Sequence, residues 1–405
     1  MVEEIRGKLS NVLKNKNIIH CVTSSISLYK AIDIARYLIK HGANVIPVLS
    51  YDAAKLISPY LFEYATGNKP VYKITGNVEH TSLFKEYNID LVLVAPATAN
   101  TISKIANGIS DTLVTLVASV ALGKGIPILI APAMHEPMYE NRILLENIEM
   151  LKKQGISFVE PKKEEGKAKL ASEEDIFYAI MRILGEKPLR NKKVIVTAGA
   201  TREYLDSVRF LTNAGSGKMG IAMAKIAWFK GADVYLIHGD MKIEVPNFSH
   251  NIHAETSEIM LSKIEELLRN NNFEYFVSTA AIADFKPLNQ FEGKIESKAI
   301  DKLIVELIPT KKIIKFVKEI SPKTKLVAFK AEYGLNKDLD VLIKAYEFCD
   351  FLVINDISRK DIGFSSNYNE VIMIDLRNNK VWNIPKMKKD DLAENIWSII
   401  LSHGK

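Results

Sequence analysis

The segment Val194-Ile-Val-Thr-Ala-Gly-Ala-Thr-Arg-Glu203 passes from an apolar strand pattern into a glycine-containing turn, and Asn213-Ala-Gly-Ser-Gly-Lys-Met-Gly220 follows before a helical pattern. Glycines at a turn from strand to helix let backbone N–H groups approach a phosphate, and the helix N-terminus adds a favourable dipole. An ordinary βα loop would contain the same glycines, because the spacing matches neither a P-loop nor G-x-G-x-x-G. The segment therefore predicts an α/β domain that starts near Lys192, and an anion site within it is a hypothesis.

Strand-length apolar runs alternate with helical patterns on both sides of this segment. Upstream, the strand patterns are Ile18–Thr23, Val45–Leu49, Leu91–Ala95 and Ile128–Ala131, and the helical patterns include Leu28–Ile39 and Thr112–Leu122. Downstream, the strand patterns are Val234–Ile237, Phe276–Thr279, Leu326–Phe329 and Leu352–Ile354, followed by a hairpin pattern, Val371–Asp375 with Lys380–Ile384, and a helix from Asp390. Such alternation is typical of parallel βαβ units. We predict the α/β class, with two doubly wound parallel-sheet (Rossmann-like) domains at 1–186 and 190–405, separated by the polar segment Gly185–Lys193.

The composition excludes several classes of protein. The chain has 405 residues, 47% of them hydrophobic and 25% charged, which is typical of a globular protein. The longest apolar stretch, Leu113–Leu122, is too short for a membrane helix, and Met1-Val-Glu-Glu-Ile-Arg6 lacks the order of a signal peptide, so we expect a cytoplasmic protein. The net charge of +6 is mild and favours small anionic ligands over nucleic acid. Cys21 and Cys349 are expected to be buried reduced thiols.

Several separated blocks of the C-terminal half stand in a fixed order. The blocks, quoted in chain order, are Thr201-Arg-Glu203 with Asp206 and Arg209, Asn213 with Gly217-Lys-Met-Gly220, Ala280-Ala-Ile-Ala-Asp284, Lys294-Ile295 within Gly293-Lys-Ile-Glu-Ser-Lys298, Val327-Ala-Phe329, Asn355-Asp356 and Gly363-Phe364. In these blocks the C-terminal half resembles the phosphopantothenate–cysteine ligase family. The departures are small: Ser207 stands where the family usually has Pro, and Gly215 where it has Ser.

This resemblance implies a reaction in two steps. The carboxylate of 4′-phosphopantothenate attacks the α-phosphate of CTP, and cysteine then converts the acyl-cytidylate to an amide. The resemblance implies that Lys294 binds the triphosphate with Mg²⁺ assisting, that Asn213 holds the acyl-cytidylate, and that Arg209 binds substrate. The other residues implied to bind CTP are Gly217, Lys218, Ala281, Asp284 and Phe329, whereas the metal ligands stay unknown. Judged by spacing alone, Lys294 is better interpreted as a solvated loop lysine.

Three strand ends in the N-terminal half carry polar residues. They are Thr23-Ser-Ser-Ile-Ser-Leu-Tyr-Lys30, Leu93-Val-Ala-Pro-Ala-Thr-Ala-Asn100 and Ile130-Ala-Pro-Ala-Met-His-Glu-Pro-Met-Tyr139. The carboxyl ends of parallel strands meet at one edge of a sheet, so these tips outline a pocket. A hydroxyl at the start of a helix is a suitable phosphate ligand, and it is equally suitable as an N-cap.

These segments resemble the flavin-dependent phosphopantothenoylcysteine decarboxylases. The resemblance implies FMN as cofactor, His80 as a catalytic histidine that acts on the substrate thiol, and substrate binding by Met134 and His135. The residues implied to bind FMN are Ser24, Ser25, Ser50, Thr98 and Asn100. A lone loop histidine is more often merely exposed, so His80 gains its importance from the neighbouring motifs.

Two departures from the decarboxylase pattern affect the expected chemistry. His135 replaces an Asn that engages the substrate carboxylate, and a histidine can still donate a hydrogen bond there. The segment Lys162–Ser172 stands where the family has a substrate-covering flap, and it contains no cysteine. Because that cysteine donates the proton of the final reduction, either water or a lysine replaces it or the N-terminal reaction is impaired.

The fusion of two domains that catalyse successive steps favours a bifunctional coenzyme A biosynthesis enzyme. The alternative is a ligase whose flavin-binding domain is regulatory or structural, and the missing flap cysteine favours it. A flavin prenyltransferase-like domain is the third interpretation, but it gives the C-terminal half no use. Both families form oligomers, so the resemblance implies a homo-oligomer of unspecified order.

Overall fold

The protein is described by a computed structural model that covers residues 2–241, 243–246, 248–296, 302–334, 339–359, 361–363 and 365–403. Ser297, Lys298 and Phe364, quoted above in the ligase-like blocks, lie outside these described residues. The chain divides into two compact units, Met1–Gly185 and Glu186–Lys405. Within the described ranges, every helix is too short or too polar to span a membrane.

The first unit is built around a five-stranded parallel sheet of order β2-β1-β3-β4-β6. Its elements in chain order are α1 (Val2–Ile5), β1 (Asn17–Val22), a 3-10 helix (Ile26–Lys30), α2 (Ala31–Lys40), β2 (Asn44–Leu49), α3 (Tyr51–Leu56), α4 (Pro59–Thr66), α5 (Glu79–Glu86), β3 (Ile89–Ala97), α6 (Ala99–Ala106), α7 (Leu113–Gly123), β4 (Ile128–Pro132), β5 (Met134–His135), α8 (Glu136–Tyr139), α9 (Arg142–Lys153), β6 (Ser157–Phe158), β7 (Lys162–Glu164), β8 (Lys167–Lys169) and α10 (Glu173–Leu184).

Both faces of this sheet are buried, which explains the continuous apolar runs of its strands. Ile19 and Cys21 of β1 pack on one face with α7, while Ile18 packs on the other face against Ile34 and Leu38 of α2. Strands that are covered on both sides by helices carry apolar residues at odd and even positions alike. The short strands β5, β8 and β7 form a separate sheet at the end of β4.

The second unit contains an eight-stranded sheet of order β13-β12-β9-β14-β17-β18-β19-β20. Its elements are β9 (Lys193–Ala198), β10 (Arg202–Tyr204), β11 (Phe210–Thr212), α11 (Lys218–Phe229), β12 (Asp233–His238), β13 (His250–His253), α12 (Ser257–Asn270), β14 (Tyr275–Ser278), β15 (Phe285–Pro287), β16 (Leu307–Pro309), α13 (Ile313–Ile320), β17 (Lys325–Glu332), α14 (Leu339–Ala345), β18 (Phe351–Asp356), β19 (Tyr368–Asp375), β20 (Lys380–Lys388) and α15 (Lys389–His403).

The second sheet is parallel from β13 to β18 and antiparallel in its last two strands. Helices α11 and α15 cover one face, where Trp397 is fully buried and donates its indole N–H to the Met223 carbonyl (2.9 Å). Helices α12 and α13 cover the other face. The predicted α/β class with parallel sheets is therefore confirmed, and so is the antiparallel hairpin at the C-terminal end.

The sequence patterns missed the small sheets. β10 pairs with β11, and β15 pairs with β16, in strands of three residues each. Strands this short contain too few residues to show an alternating or continuous apolar pattern. Their pairing is decided by where the long loops are brought together in the fold.

Candidate functional site

The carboxyl edge of the first sheet brings the three predicted polar strand ends together. Thr23, after β1, donates its hydroxyl to the Pro96 carbonyl (2.8 Å) and accepts a hydrogen bond from the Thr98 N–H (3.1 Å). Ser25 donates its hydroxyl to the Ala133 carbonyl (3.3 Å), which follows β4. β1 has β2 on one side and β3 on the other, so these bonds lie at the topological switch point where open α/β sheets bind ligands.

The hydroxyls predicted to bind FMN act as helix N-caps in the structure. Ser25, Ser50 and Thr98 each accept a hydrogen bond from a backbone N–H in the first turn that follows. Ser24 and Asn100 are exposed beside them. Several helix N-termini, small hydroxyls and an exposed amide at one sheet edge form a donor set that suits the phosphate and polar ring edge of FMN.

His80 lies in the first turn of α5, which packs against α7. Its Nδ1 atom is buried and has no hydrogen-bond partner among the described residues. Val78 precedes α5 with φ 53°, a left-handed conformation that is unusual for a β-branched residue. An imidazole nitrogen without a partner retains the capacity to bind a ligand atom or a proton.

The segment predicted to replace the substrate flap forms a hairpin on the Met134–His135 strand. Met134 pairs with Ala168 and His135 pairs with Lys167, and the hairpin turns through Glu165 and Gly166, both at positive φ. Ala168 is fully buried, whereas His135 and Lys167 are exposed. The segment therefore pairs with the Met134–His135 strand without a cysteine and with a lysine opposite His135.

The two cysteines take no part in either candidate site. Both are free and buried, as predicted, with Cys21 in β1 and Cys349 in the core of the second unit. Burial raises the pKa of the Cys349 thiol to about 12 and also raises the pKa of Cys21. Both thiols are therefore protonated and unreactive near neutral pH.

A cavity of about 490 Å³ lies at the carboxyl edge of the second sheet. Its wall contains the glycine loop before α11, the segment after β14, the start of α13, the ends of β17 and β18, and the starts of β19 and α15. The charged side chains among the described lining residues are Lys311, Lys312, Lys330, Lys389 and Asp284. Lysines outnumber the single carboxylate in this lining, so the cavity favours an anionic ligand.

The glycine loop approaches the segment after β14 so closely that side chains would not fit. A Cβ atom on Gly215 would lie 2.7 Å from the Ala281 Cβ, and Gly217, with φ 79°, is the N-cap of α11. Asn213 joins the two segments by donating its side-chain amide to the carbonyls of Ala281 (3.3 Å) and Ile282 (3.0 Å). The sequence hypothesis of an anion site at these glycines therefore gains a defined cavity.

The edge of β17 offers unpaired backbone groups to the cavity. The pairing of β17 with β14 ends at Ala328, whereas its pairing with β18 continues to Glu332. Among the described residues, the backbone of Phe329 and the two residues after it therefore has no strand neighbour on the β14 side, where it lines the cavity. Ala281 is different, because its N–H already donates to the Gly199 carbonyl (2.8 Å).

Three predicted ligase residues lie outside the described cavity lining, for identifiable reasons. Lys218 donates its ammonium to the Ser365 carbonyl (2.9 Å) and to Asn367 Oδ1 (2.7 Å). Arg209 donates to Asp206 (2.7 Å) and to the Ile295 carbonyl (3.1 Å), and Lys294 is exposed beside Ile295. The other predicted residues, Asn213, Gly217, Ala281, Asp284 and Phe329, all line the cavity.

The loop that carries Lys294 is tied to the β10–β11 turn through Asp206. The Asp206 carboxylate accepts hydrogen bonds from the N–H groups of Val208, Arg209 and Ile295. Burial by itself would raise the pKa of Asp206, but these backbone donors lower it to about 2. The carboxylate is therefore ionised at any physiological pH and holds the base of the loop.

Sequence reasoning missed several lining residues, among them Lys389 and Asn369. Lys389 is 6% exposed and donates its ammonium to the Gly363 carbonyl (2.8 Å), and Asn369 is 5% exposed. Lys389 stands in Lys386-Met-Lys-Lys389, where nothing distinguishes a buried lysine from exposed ones. The available signal was its position at a strand-to-helix junction on the carboxyl edge of the sheet.

Comparisons with known proteins agree with both halves. Residues 6–185 match the family described as Flavoprotein, and residues 189–403 match the DNA/pantothenate metabolism flavoprotein C-terminal domain. The coenzyme A biosynthesis bifunctional protein CoaBC of Thermococcus kodakarensis is 47% identical over 406 residues, covering 98% of each chain. The CoaBC protein of Bacillus subtilis is 32% identical over 411 residues, covering 97% of this chain and 98% of that protein.

Among solved structures, the crystal structure of a CoaBC C-terminal domain is 29% identical to this chain and has a TM-score of 0.45. The matched region covers 54% of this chain and 97% of that domain. The coverage of the full-length relatives is nearly complete, and the two matched families account for both compact units. The chain belongs to the family of bifunctional coenzyme A biosynthesis proteins.

Proposed function

We propose that the second unit joins 4′-phosphopantothenate to cysteine at the expense of CTP, and that the first unit decarboxylates the product to 4′-phosphopantetheine with FMN. The observation that carries the ligase assignment is the lysine-rich cavity at the carboxyl edge of the second sheet. CTP and the acid substrate are both anions whose reaction requires charge neutralisation and alignment. The lysines in the wall of this cavity supply the charge neutralisation, and the surrounding wall supplies the alignment.

CTP lies at the β14–β17 side of the cavity in this proposal. The unpaired backbone edge at Phe329 recognises the cytosine, while the engaged N–H of Ala281 supports the loop instead of the base. Lys311 and Lys312 face the triphosphate. Asp284 accepts a hydrogen bond from the Lys312 ammonium, and it is the carboxylate that would bind Mg²⁺, which proteins commonly hold through one or two carboxylates and the substrate phosphates.

Asn213 and Lys294 have separate roles. Asn213 fixes the glycine loop against Ile282, and its amide oxygen faces the acyl-cytidylate. Lys294 reaches the triphosphate from the loop anchored by Asp206 and stabilises the charge that develops in the first step. Lys294→Gln should therefore block acyl-cytidylate formation, whereas Asn213→Asp should impair the step after it. If both variants accumulate the same species, this division of roles is wrong.

The first unit holds FMN at the β1–β3 edge, with Ser24, Ser25, Thr98 and Asn100 around the cofactor and Ser50 at the neighbouring helix. When bound, FMN supplies the oxidation of the cysteinyl end that permits loss of CO₂, and the hydride that completes the reaction. His80 accepts the thiol proton through its partnerless Nδ1. Met134 and His135 hold the substrate, with the imidazole donating to its carboxylate.

The proton of the closing reduction comes from a group other than cysteine. Lys167 pairs with His135 in register and is exposed at the substrate-binding strand, so this lysine or water is the proton source. A protein that acts on these soluble metabolites works in the cytoplasm, and we propose a homo-oligomer.

The decisive experiment incubates the full chain with 4′-phosphopantothenate, cysteine, CTP and Mg²⁺ and identifies the products by mass. We expect 4′-phosphopantetheine, CMP and CO₂, a yellow protein with bound FMN, and faster reaction with CTP than with ATP. Accumulation of 4′-phosphopantothenoylcysteine in an FMN-loaded protein would contradict the decarboxylase assignment. Release of no CMP would contradict the ligase assignment.

A further inference from the structure

The cavity of the second unit has a polar end that the CTP groups leave unused. Lys389, the first residue of α15, and Asn369, near the start of β19, both line this end, as does Gly363. β19 and α15 belong to the antiparallel side of the sheet, beyond β18, whereas the proposed nucleotide groups belong to β14 and β17. The cavity therefore extends from β14 and β17, where the nucleotide is proposed to bind, to polar residues on β19 and α15.

The charges at this end favour a phosphate. The ammonium of Lys389 is held in the wall by the Gly363 carbonyl, and Lys218, in the first turn of α11, lies close enough for its charge to act on Lys389. Burial, together with the Lys218 charge, lowers the pKa of Lys389 to about 8. An anion beside these lysines and the α11 N-terminus would relieve their mutual repulsion.

Asn369 gives a second, independent indication of a ligand. It is 5% exposed, and its Oδ1 atom is buried without a hydrogen-bond partner among the described residues. A buried amide oxygen without a partner is costly unless a bound group donates to it. 4′-Phosphopantothenate carries a hydroxyl group a few bonds from its phosphate, and a hydroxyl is a suitable donor.

We propose that Lys389 and Asn369 form the subsite for the phosphorylated end of 4′-phosphopantothenate, with Lys389 binding the phosphate and Asn369 accepting from the neighbouring hydroxyl. This assignment rests on the proposed ligase function of the second unit. Lys218 contributes charge and also fixes the Ser365–Asn367 segment against this end. The subsite makes the enzyme select the phosphorylated acid over pantothenate itself.

The test measures pyrophosphate release from CTP with 4′-phosphopantothenate and with pantothenate, using the full-length wild type and the variants Lys389→Gln, Lys389→Arg and Asn369→Asp. Loss of a hydrogen bond to a charged group predicts that Lys389→Gln lowers kcat/KM for the phosphorylated acid roughly 10- to 100-fold. Its kcat/KM with pantothenate should fall less, so that the preference for the phosphorylated acid narrows. Lys389→Arg should recover part of the preference, and Asn369→Asp should weaken it by repelling the phosphate.

Lys388→Gln is the matched control, because Lys388 is the exposed neighbour of the buried Lys389. A Lys389→Gln variant that keeps the wild-type preference, or that loses affinity for CTP instead, overturns the subsite. If that variant fails to fold, as judged by CTP titration, an unchanged preference in Asn369→Asp overturns it equally. A wild type that releases no pyrophosphate with either acid refutes the ligase function itself, so the two failures are distinguishable.

Discussion

Replacing Gly220 by alanine adds one methyl group, and this change should impair the ligase activity while leaving the decarboxylase activity unchanged. Gly220 lies in the first turn of α11, and a Cβ atom there would lie 2.6 Å from the Ala198 Cβ and 2.6 Å from the Thr279 Oγ1. Ala198 ends β9 and belongs to the core beneath α11. Glycine therefore allows the helix to pack directly on the strand that carries the cavity.

The magnitude of the effect follows from these distances. Carbon atoms in contact are ordinarily about 3.5–4.0 Å apart, so Gly220→Ala requires α11 to recede by roughly 1 Å. Overpacking costs about 1–3 kcal/mol, and the better helix propensity of alanine offsets about 1 kcal/mol of that cost. A displacement of this size at groups that align substrates can lower the rate about 10²-fold.

Full-length Gly220→Ala should retain FMN and decarboxylate added phosphopantothenoylcysteine at the wild-type rate, while CTP-dependent pyrophosphate release falls about 10²-fold. The melting temperature of the ligase unit should fall by at most about 8 °C. Gly123→Ala in α7 is the matched control, because nothing lies within 4 Å of a Cβ atom at that helical glycine. Wild-type ligase activity in Gly220→Ala would refute this account of the packing.

Three further predictions follow from the described contacts. His80→Asn should lower CO₂ release about 10²–10⁴-fold, as loss of a positioned base commonly does, and leave pyrophosphate release unchanged; equal loss of both activities would contradict the assigned role. Cys21→Ala and Cys349→Ala should leave the reduction to 4′-phosphopantetheine intact in a mass assay, because both thiols are buried with raised pKa values; an oxidised product from either variant would oppose this. Lys389 carries a proton below its pKa of about 8 and loses it above, so the Kd for 4′-phosphopantothenate should rise by up to about tenfold per pH unit above pH 8 in the wild type and stay flat in Lys389→Gln. Other charged groups on the elements around Lys389 include Lys218, Lys225 paired with Asp390, Glu370 paired with Arg359, Asp391, Glu394 paired with Lys230, and the cavity-lining Asp284, Lys311, Lys312 and Lys330.

Much of the fold could be predicted because the main strands are buried on both faces. The run Leu91–Ala95 lies within β3, and Leu326–Phe329 lies within β17, since continuous apolar sequence is required for a strand covered by helices on either side. The glycine spacing before α11 likewise predicted a close backbone approach. Gly217 has a positive φ, and a side chain on Gly215 would contact Ala281, so both positions require glycine. A requirement of this kind is visible in the sequence as the glycine itself.

The arrangement of the sites depended more on tertiary structure. Asn213, Asp284 and Phe329, which the sequence blocks named as binding residues, line one cavity, although they come from β17 and from the loops after β11 and β14. They gave no sign that Asp206 and Arg209 both bond to Ile295, because those hydrogen bonds join a turn to a loop far along the chain.

The sequence by itself therefore determined the α/β class, the positions of the main buried strands and the kinds of polar residue that follow several of them, because these follow from local patterns of burial and backbone geometry. Only the tertiary structure decided which side chains face the ligase cavity. Lys388 and Lys389 are identical neighbours in the sequence, yet one is exposed and the other is buried in the wall. That difference arises because α15 begins where β20 ends, beside a loop that comes from another part of the chain and accepts the Lys389 hydrogen bond at Gly363.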